Sequence, residues 1–260
     1  MAIYVVADLH GSPDALKKAV PEGATLLLLG DLINFIDYRT MTGILVDVFS
    51  VEAVEKVVRL RTAGRVKEAR RIMRERAVGR EEEVSSSIGR RVRAQYREVF
   101  RSLMWKTFFV LGNVDNLDAA LSASELAPDS SFVHGKSISL EGERFGFVGG
   151  ALPTPLHAAG EISEEEMRGL LDGLGEVDVV CTHIPPAVDE LCYDTRARKF
   201  ERGSRDLLEY IRDVQPRFAY FGHVHQPMLS SMAIGDTQCI NVGYFRSTRR
   251  AWPHRGPLDR

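Results

Sequence analysis

Six short apolar runs punctuate this chain, at residues 2–7, 25–29, 107–111, 145–148, 177–181 and 218–221, and most give way abruptly to glycine, aspartate or histidine. Each has the length and the β-branched or aromatic content of a buried strand. Helical patterns lie between several of them, at 12–20, 163–171 and 204–214. Ser12 is placed to cap the first, with Pro13 at its opening position. Ser163 stands three residues before Glu166, a capping-box pattern. Strands alternating with helices dictate a layered α/β fold. Residues 228–233 and 237–242 read as a strand pair around Gly235 and Asp236, so part of the sheet is expected to be antiparallel.

Residues 42–104 break the rhythm, with about 60 residues and no strand signal. Val84, Ile88, Val92, Tyr96, Val99 and Leu103 recur at helical spacing. An earlier helix is expected over 46–77, with Gly79 breaking the pair. The reading is a helical hairpin, 42–104, inserted in a domain of residues 1–246, followed by a basic tail, 247–260, that is flexible or docked.

The net charge of −2 hides an asymmetry: residues 51–107 carry 16 Lys and Arg against eight Glu and no Asp. Three readings of this basic insert stand side by side. It is a solvated face with partners such as Glu55 and Arg59, a homodimer contact through the apolar stripe, or a lid for a polyanion such as a nucleotide or nucleic acid. No basic stretch is interleaved with aromatics, so nucleic acid is not favoured. No run approaches the roughly 18 apolar residues of a membrane span, so no membrane contact is expected. Cys181, Cys192 and Cys239 leave an odd count without CxxC spacing, and MAIYVVADLHG reads as a first strand, not a signal peptide. A reduced, cytoplasmic protein is expected.

The strand ends carry the chemistry. ADLHG supplies Asp8 and His10, LLGDLIN Asp31 and Asn34, VLGNVDN Asn113 and Asp115, VCTHIPP His183, and FGHVH His223 and His225. Ligands of open α/β sheets gather at the carboxyl ends of the strands, so these groups are expected to converge. Carboxylates, imidazoles and an amide oxygen suit Mn²⁺, Fe²⁺ or Zn²⁺. Seven such ligands exceed the needs of one first-row ion and fit two that share a carboxylate. Two ions about 3.5–4 Å apart can clamp the attacking and leaving oxygens of a phosphoryl centre.

Taken singly, the same residues have plainer readings. Asp8 and Asp31 could be turn formers or caps, and His183 a core histidine; the full set outweighs both. His134, His157 and His254 lack motif support and read as ordinary, with His157 also a candidate for the mouth of the site. Arg202 and Ser204 precede a helix, where capping is the default and an anion contact the alternative. Cys181 and Cys239 read as core.

The order DxH…GD…GN…H…GHxH resembles the calcineurin-like metallophosphoesterase family from Asp8 to His225, with the helical insert outside the match. The resemblance implies a four-layer α/β/β/α sandwich and a dinuclear centre. One ion would sit on Asp8, His10, Asp31 and His225, the other on Asp31, Asn113, His183 and His223, with Asp31 bridging and Asn34 behind the ligands. The implied activity is metal-dependent hydrolysis of phosphate esters by in-line attack of a metal-bridging hydroxide. Mn²⁺ or Fe²⁺ come first as cofactors, and Zn²⁺, Co²⁺ or Ni²⁺ also fit.

One departure matters. Many members of the family have Gly-Asn-His followed by Asp or Glu, and this chain has Val114 in place of that histidine. Valine cannot donate a proton, and a general acid is typically worth about 10²–10⁴ in rate. The expectation therefore moves toward phosphodiesters and good leaving groups, with a phosphomonoesterase or nuclease as the alternative. Asp115 is a candidate to supply a proton or hold a water. A small phosphoester is the expected substrate, with nucleotides among the candidates. A protein-binding scaffold on this fold is the rival from another class; it calls for lost ligands, and none of the seven is lost.

Overall fold

The computed structural model describes residues 1–154 and 158–256. The candidate His157 lies outside them. The strands are β1 (Ile3–Val6), β2 (Thr25–Leu29), β3 (Lys106–Val110), β4 (Ser130–Phe132), β5 (Lys136–Leu140), β6 (Glu143–Val148), β7 (Val179–Thr182), β8 (Tyr193–Asp194), β9 (Lys199–Phe200), β10 (Phe218–Phe221), β11 (Ser231–Ile234), β12 (Thr237–Asn241) and β13 (Trp252–Pro253). The helices are α1 (Leu16–Ala19), α2 (Ile44–Phe49), α3 (Val51–Thr62), α4 (Val66–Ala77), α5 (Glu81–Ser102), α6 (Leu117–Ser124), α7 (Glu164–Leu174), α8 (Asp189–Cys192), α9 (Arg205–Val214) and α10 (Phe245–Thr248).

Of the two large sheets, beside an antiparallel ribbon of β8 and β9, one has the order β13-β1-β2-β3-β4, the other β11-β12-β10-β7-β6-β5. Both are mixed. β1 to β4 run parallel, and β13 closes the edge antiparallel to β1. In the second sheet β6, β7, β10 and β12 run parallel, flanked by antiparallel β5 and β11.

The strands are apolar on both faces because both faces are covered. In β2, Leu27 and Leu29 point to the partner sheet while Leu26 and Leu28 point to helices. In β7 and β10, Val179, Cys181 and Tyr220 fill the space between the sheets, and Val180, Ala219 and Phe221 face the opposite way. Period-two alternation thus builds three apolar layers. One lies between the sheets, one packs α1, α5 and α6 on the first sheet, and one packs α7 and α9 on the second. Helix, sheet, sheet, helix is the four-layer α/β/β/α sandwich that the resemblance implied.

Four helices, α2 to α5, lie between β2 and β3. The helix expected over 46–77 is interrupted twice, where Ser50 and Gly64 take φ of 76° and 73°. A left-handed residue cannot continue a right-handed helix. The apolar stripe of α5 packs inside its own chain, with Val92, Tyr96 and Val99 in one buried cluster with Leu26, Leu28 and Phe109. Ser163 and Ser204 cap α7 and α9, each accepting a backbone N–H at 3.0 Å, whereas Ser12 makes no capping bond. Arg202, next to Ser204, donates to the Pro153 carbonyl and pairs with Glu164, a structural role. Cys181 and Cys239 are buried in the core.

Past Ser247 the chain docks along β1, with His254 N–H on the Ile3 carbonyl at 2.9 Å. The His254 ring is buried between Glu143 of β6, at 2.9 Å, and the Tyr220 hydroxyl of β10, at 3.0 Å. His134 is also structural, its Nδ1 accepting the Gly149 N–H at 3.0 Å. Among the described residues no helix is long and apolar enough to cross a membrane.

Candidate metal centre

The carboxyl ends of β1, β2, β3, β7 and β10 open side by side, and each releases its polar group there. Hydrogen bonds lace the first two loops together: Asp8 N–H to the Gly30 carbonyl at 3.1 Å and His10 N–H to the Asp31 carbonyl at 2.8 Å. Asp8, His10, Asp31 and His223 all adopt left-handed backbone, with φ of 58°, 42°, 53° and 67°. Such conformations cost non-glycine residues about 1–3 kcal/mol and persist where the surroundings enforce them. Their concentration on these four side chains marks the place where the fold aims groups instead of relaxing. Gly112 is required for a different reason: a Cβ there would collide with Asp31 Oδ1 and the His183 ring.

Two groups of ligating atoms result, Asp8 with His10 and His225, and Asp31 with His183 and His223, each within 4.8 Å. His10 Nε2 and His225 Nε2 lie 3.2 Å apart. Asn113 Oδ1 joins the second group, 3.2 Å from His183 Nε2 and 3.1 Å from His223 Nδ1. Ligand pairs on one ion with bonds of 2.0–2.1 Å stand about 3.0–3.4 Å apart, so these spacings suit donors that would share an ion. Asp31 faces both groups. Its Oδ2 lies 3.6 Å from His10 Nε2 and its Oδ1 3.5 Å from His183 Nε2. All seven residues expected from the strand ends are therefore brought together, with Asp31 in the middle.

The protonation states suit cations. Burial holds the His183 imidazole down to about 4. Burial, then neighbouring charges, lowers His223 and His225 well below the usual histidine range; burial lowers His10 too. Neutral imidazoles keep a lone pair for a metal. His183 Nδ1 donates to the Leu29 carbonyl at 2.9 Å, which fixes its tautomer and leaves Nε2 as the acceptor. Asp8 and Asp31 are pushed the other way, upward, first by burial and in Asp8 also by Asp31. Two buried acids side by side, ringed by neutral rings, are costly without a positive charge among them. The donor set fits two divalent ions.

Some supporting groups differ from expectation. Asn34 is buried, its Nδ2 toward Thr42 Oγ1 at 3.4 Å and its backbone N–H on Gln95 Oε1 at 2.7 Å. Asp115 is buried and accepts from Leu32 N at 3.1 Å, Gly112 N at 2.9 Å and the Tyr96 hydroxyl at 2.8 Å. It pins the loop after Asp31 to the loop before Asn113. The Tyr96 hydroxyl in turn accepts Asn116 N–H at 2.7 Å, so α5 braces the centre from behind. Sequence reasoning saw Tyr96 only as part of an apolar stripe and missed this. It also missed Tyr244, whose ring stacks on His225 at 3.9 Å. A signal for Tyr244 existed: it follows an apolar run and a glycine, as the ligands do. Val114 is half-buried, and its backbone N–H donates to Asp31 Oδ1 at 3.2 Å.

Fold and centre define a metallophosphoesterase architecture, and comparison with protein families agrees: residues 1–227 match calcineurin-like phosphoesterase. The chain belongs to that family. Among curated proteins none matches. Solved structures do. One crystal structure aligns with 94% of this chain and 92% of its own, at TM-score 0.58 and 18% identity. The crystal structure of TT1561 of Thermus thermophilus aligns with 97% of each chain, at TM-score 0.55 and 15% identity. At these identities the likeness concerns the fold.

Proposed function

We propose that the chain is a phosphodiesterase. The observation that carries this reading is the shared Asp31, with an acid-free Val114 beside it. Asp8, His10, Asp31 and His225 would hold one divalent ion, and Asp31, Asn113, His183 and His223 the other, with Mn²⁺ or Fe²⁺ as the first candidates. Bound there, two such ions would supply an ionised water as nucleophile and offset charge building on the phosphoryl oxygens. The histidines act as neutral ligands, not as nucleophiles. Asp8 accepts the His223 N–H with both carboxylate oxygens, at 3.1 and 3.0 Å, and so orients the His-x-His loop. The hydrogen bonds of Asp115 hold the spacing between Asp31 and Asn113.

The valine side chain at position 114 cannot protonate a leaving oxygen. Nor can it offer a charge or a hydrogen bond to the phosphoryl oxygens; a diester carries one fewer ionised oxygen than a monoester and demands less of such a contact, and this favours diester substrates. The test is turnover of bis(4-nitrophenyl) phosphate beside 4-nitrophenyl phosphate, on protein stripped and reloaded with Mn²⁺. Diester turnover is expected to exceed monoester turnover, and Val114→His to shift the ratio toward the monoester by at least about tenfold. An unchanged ratio in that variant would sink the argument from Val114.

A further inference from the structure

Beside the centre lies a pocket of about 460 Å³ that the proposed reaction leaves unused. Arg39, Arg196, Arg246 and Arg249 line it, together with Asp37 and Tyr244. Tyr244 is a wall shared with the metal centre. His225 stacks on its ring at 3.9 Å with 13° between planes, and the Arg39 guanidinium sits over the same ring at 4.9 Å. Two groups cannot occupy one face of a ring, so Arg39 takes the face turned from His225. One aromatic ring separates the pocket from a ligand of the centre.

The arginines have different duties. Arg246 is spent on structure, with Nε to Asp37 at 3.0 Å, one terminal nitrogen to the His10 carbonyl at 2.6 Å and the other to Thr42 Oγ1 at 3.1 Å. It neutralises the one carboxylate of the pocket and ties the wall to the loop carrying His10. Arg39, Arg196 and Arg249 are left with no carboxylate partner among the described residues. Guanidiniums collected in a concavity repel one another and concentrate anions there. Their planar forks match phosphate oxygens two at a time.

Resting on the phosphoesterase reading, we propose that this pocket binds a second phosphoryl group of the substrate. The natural substrate is then a phosphoester that bears another phosphate close to the scissile one, the two groups lying on either side of Tyr244.

Calorimetry on the intact, Mn²⁺-loaded chain tests this with thymidine 3′,5′-bisphosphate and thymidine 5′-monophosphate. The bisphosphate is expected to bind at least about tenfold more tightly. In Arg196→Gln/Arg249→Gln, two exposed side chains whose loss spares the core, that ratio is expected to fall to about one. Equal affinities in the unaltered chain, or a preference that survives the double substitution, would overturn the proposal. Inorganic phosphate is the third probe: binding as tight as the bisphosphate would make the pocket a free-ion site and overturn the substrate assignment. Turnover of bis(4-nitrophenyl) phosphate, which carries no second phosphate, reports on the reaction separately. Turnover with a ratio near one removes the pocket alone. A ratio above ten without turnover supports the pocket and removes the reaction.

Discussion

Asp31 is the residue on which the centre turns, because each of its oxygens faces a different group of histidines. Asp31→Asn keeps the shape and replaces one oxygen by an amide nitrogen that cannot bind a cation. Bound Mn²⁺ is expected to fall below two per chain by elemental analysis, and diester turnover by more than about 100-fold. Retention of both ions would mean that Asp31 does not bridge. The pH dependence of metal binding follows from opposite shifts. The histidines are lowered by burial, His183 to about 4, so their protons compete less with an ion near neutral pH. Asp8 and Asp31 are raised by burial, so the stripped protein holds protons that an ion must displace. Affinity for Mn²⁺ is therefore expected to climb with pH as these carboxylates ionise, above the usual carboxylate range, with proton release that shrinks as they finish titrating. Titration calorimetry in buffers of different ionisation enthalpy reads both; release confined to lower pH, where the histidines titrate, would contradict the assignment.

At the scale of elements, α5 is where the chain departs from a bare sandwich. Its Tyr96 hydroxyl is the one link from the inserted helices to Asp115 and Asn116 named above. Tyr96→Phe keeps the packing and removes the link, leaving Asp115 with an unmade hydrogen bond. A loss of about 1–3 kcal/mol is expected, together with weaker Mn²⁺ binding. A lower Tm with unaltered metal affinity would confine Tyr96 to supporting the helix. This element also shows what the sequence could and could not reveal. The core strands were legible because burial on two faces forces continuous apolar runs, and the ligands because five of the six runs lead into one. β4, β5, β8, β9 and β13 were not, being short, polar or at edges, where nothing compels an apolar pattern. The stripe of α5 betrayed a buried face but not that its tyrosine ends in a polar network. The breaks at Ser50 and Gly64 were hidden for a related reason: an amphipathic pattern runs through a turn without changing period. Arg39 and Arg249 stand 210 residues apart in the sequence, so no local window could have joined them in one pocket.

Across the whole molecule the two ends of the sandwich have separate tasks. His254 lies by Ile3, at the amino end of β1, while the ligands follow the carboxyl ends of the strands. Through β13 the terminal segment belongs to the first sheet, and through Glu143 and Tyr220 its histidine grips the second. His254→Ala leaves a cavity beside Phe145 and Phe218 and deprives buried Glu143 of a partner. A cost of about 2–4 kcal/mol is expected, a fall in Tm of roughly 5–10 °C, with two ions still bound per chain. Loss of metal in that variant would show that the ends are coupled. At the other end the assignment of ligands to sheets has a mechanical meaning. Asp8 and His10 hang from one sheet and His225 from the other; Asp31 hangs from the first, His183 and His223 from the second. Each ion would thus be a bolt driven through both leaves of a hinged pair, fastening at one edge what the buried terminal histidine fastens at the opposite edge. Metal supply would then govern how tightly the two leaves are clamped, as well as whether the chain can react.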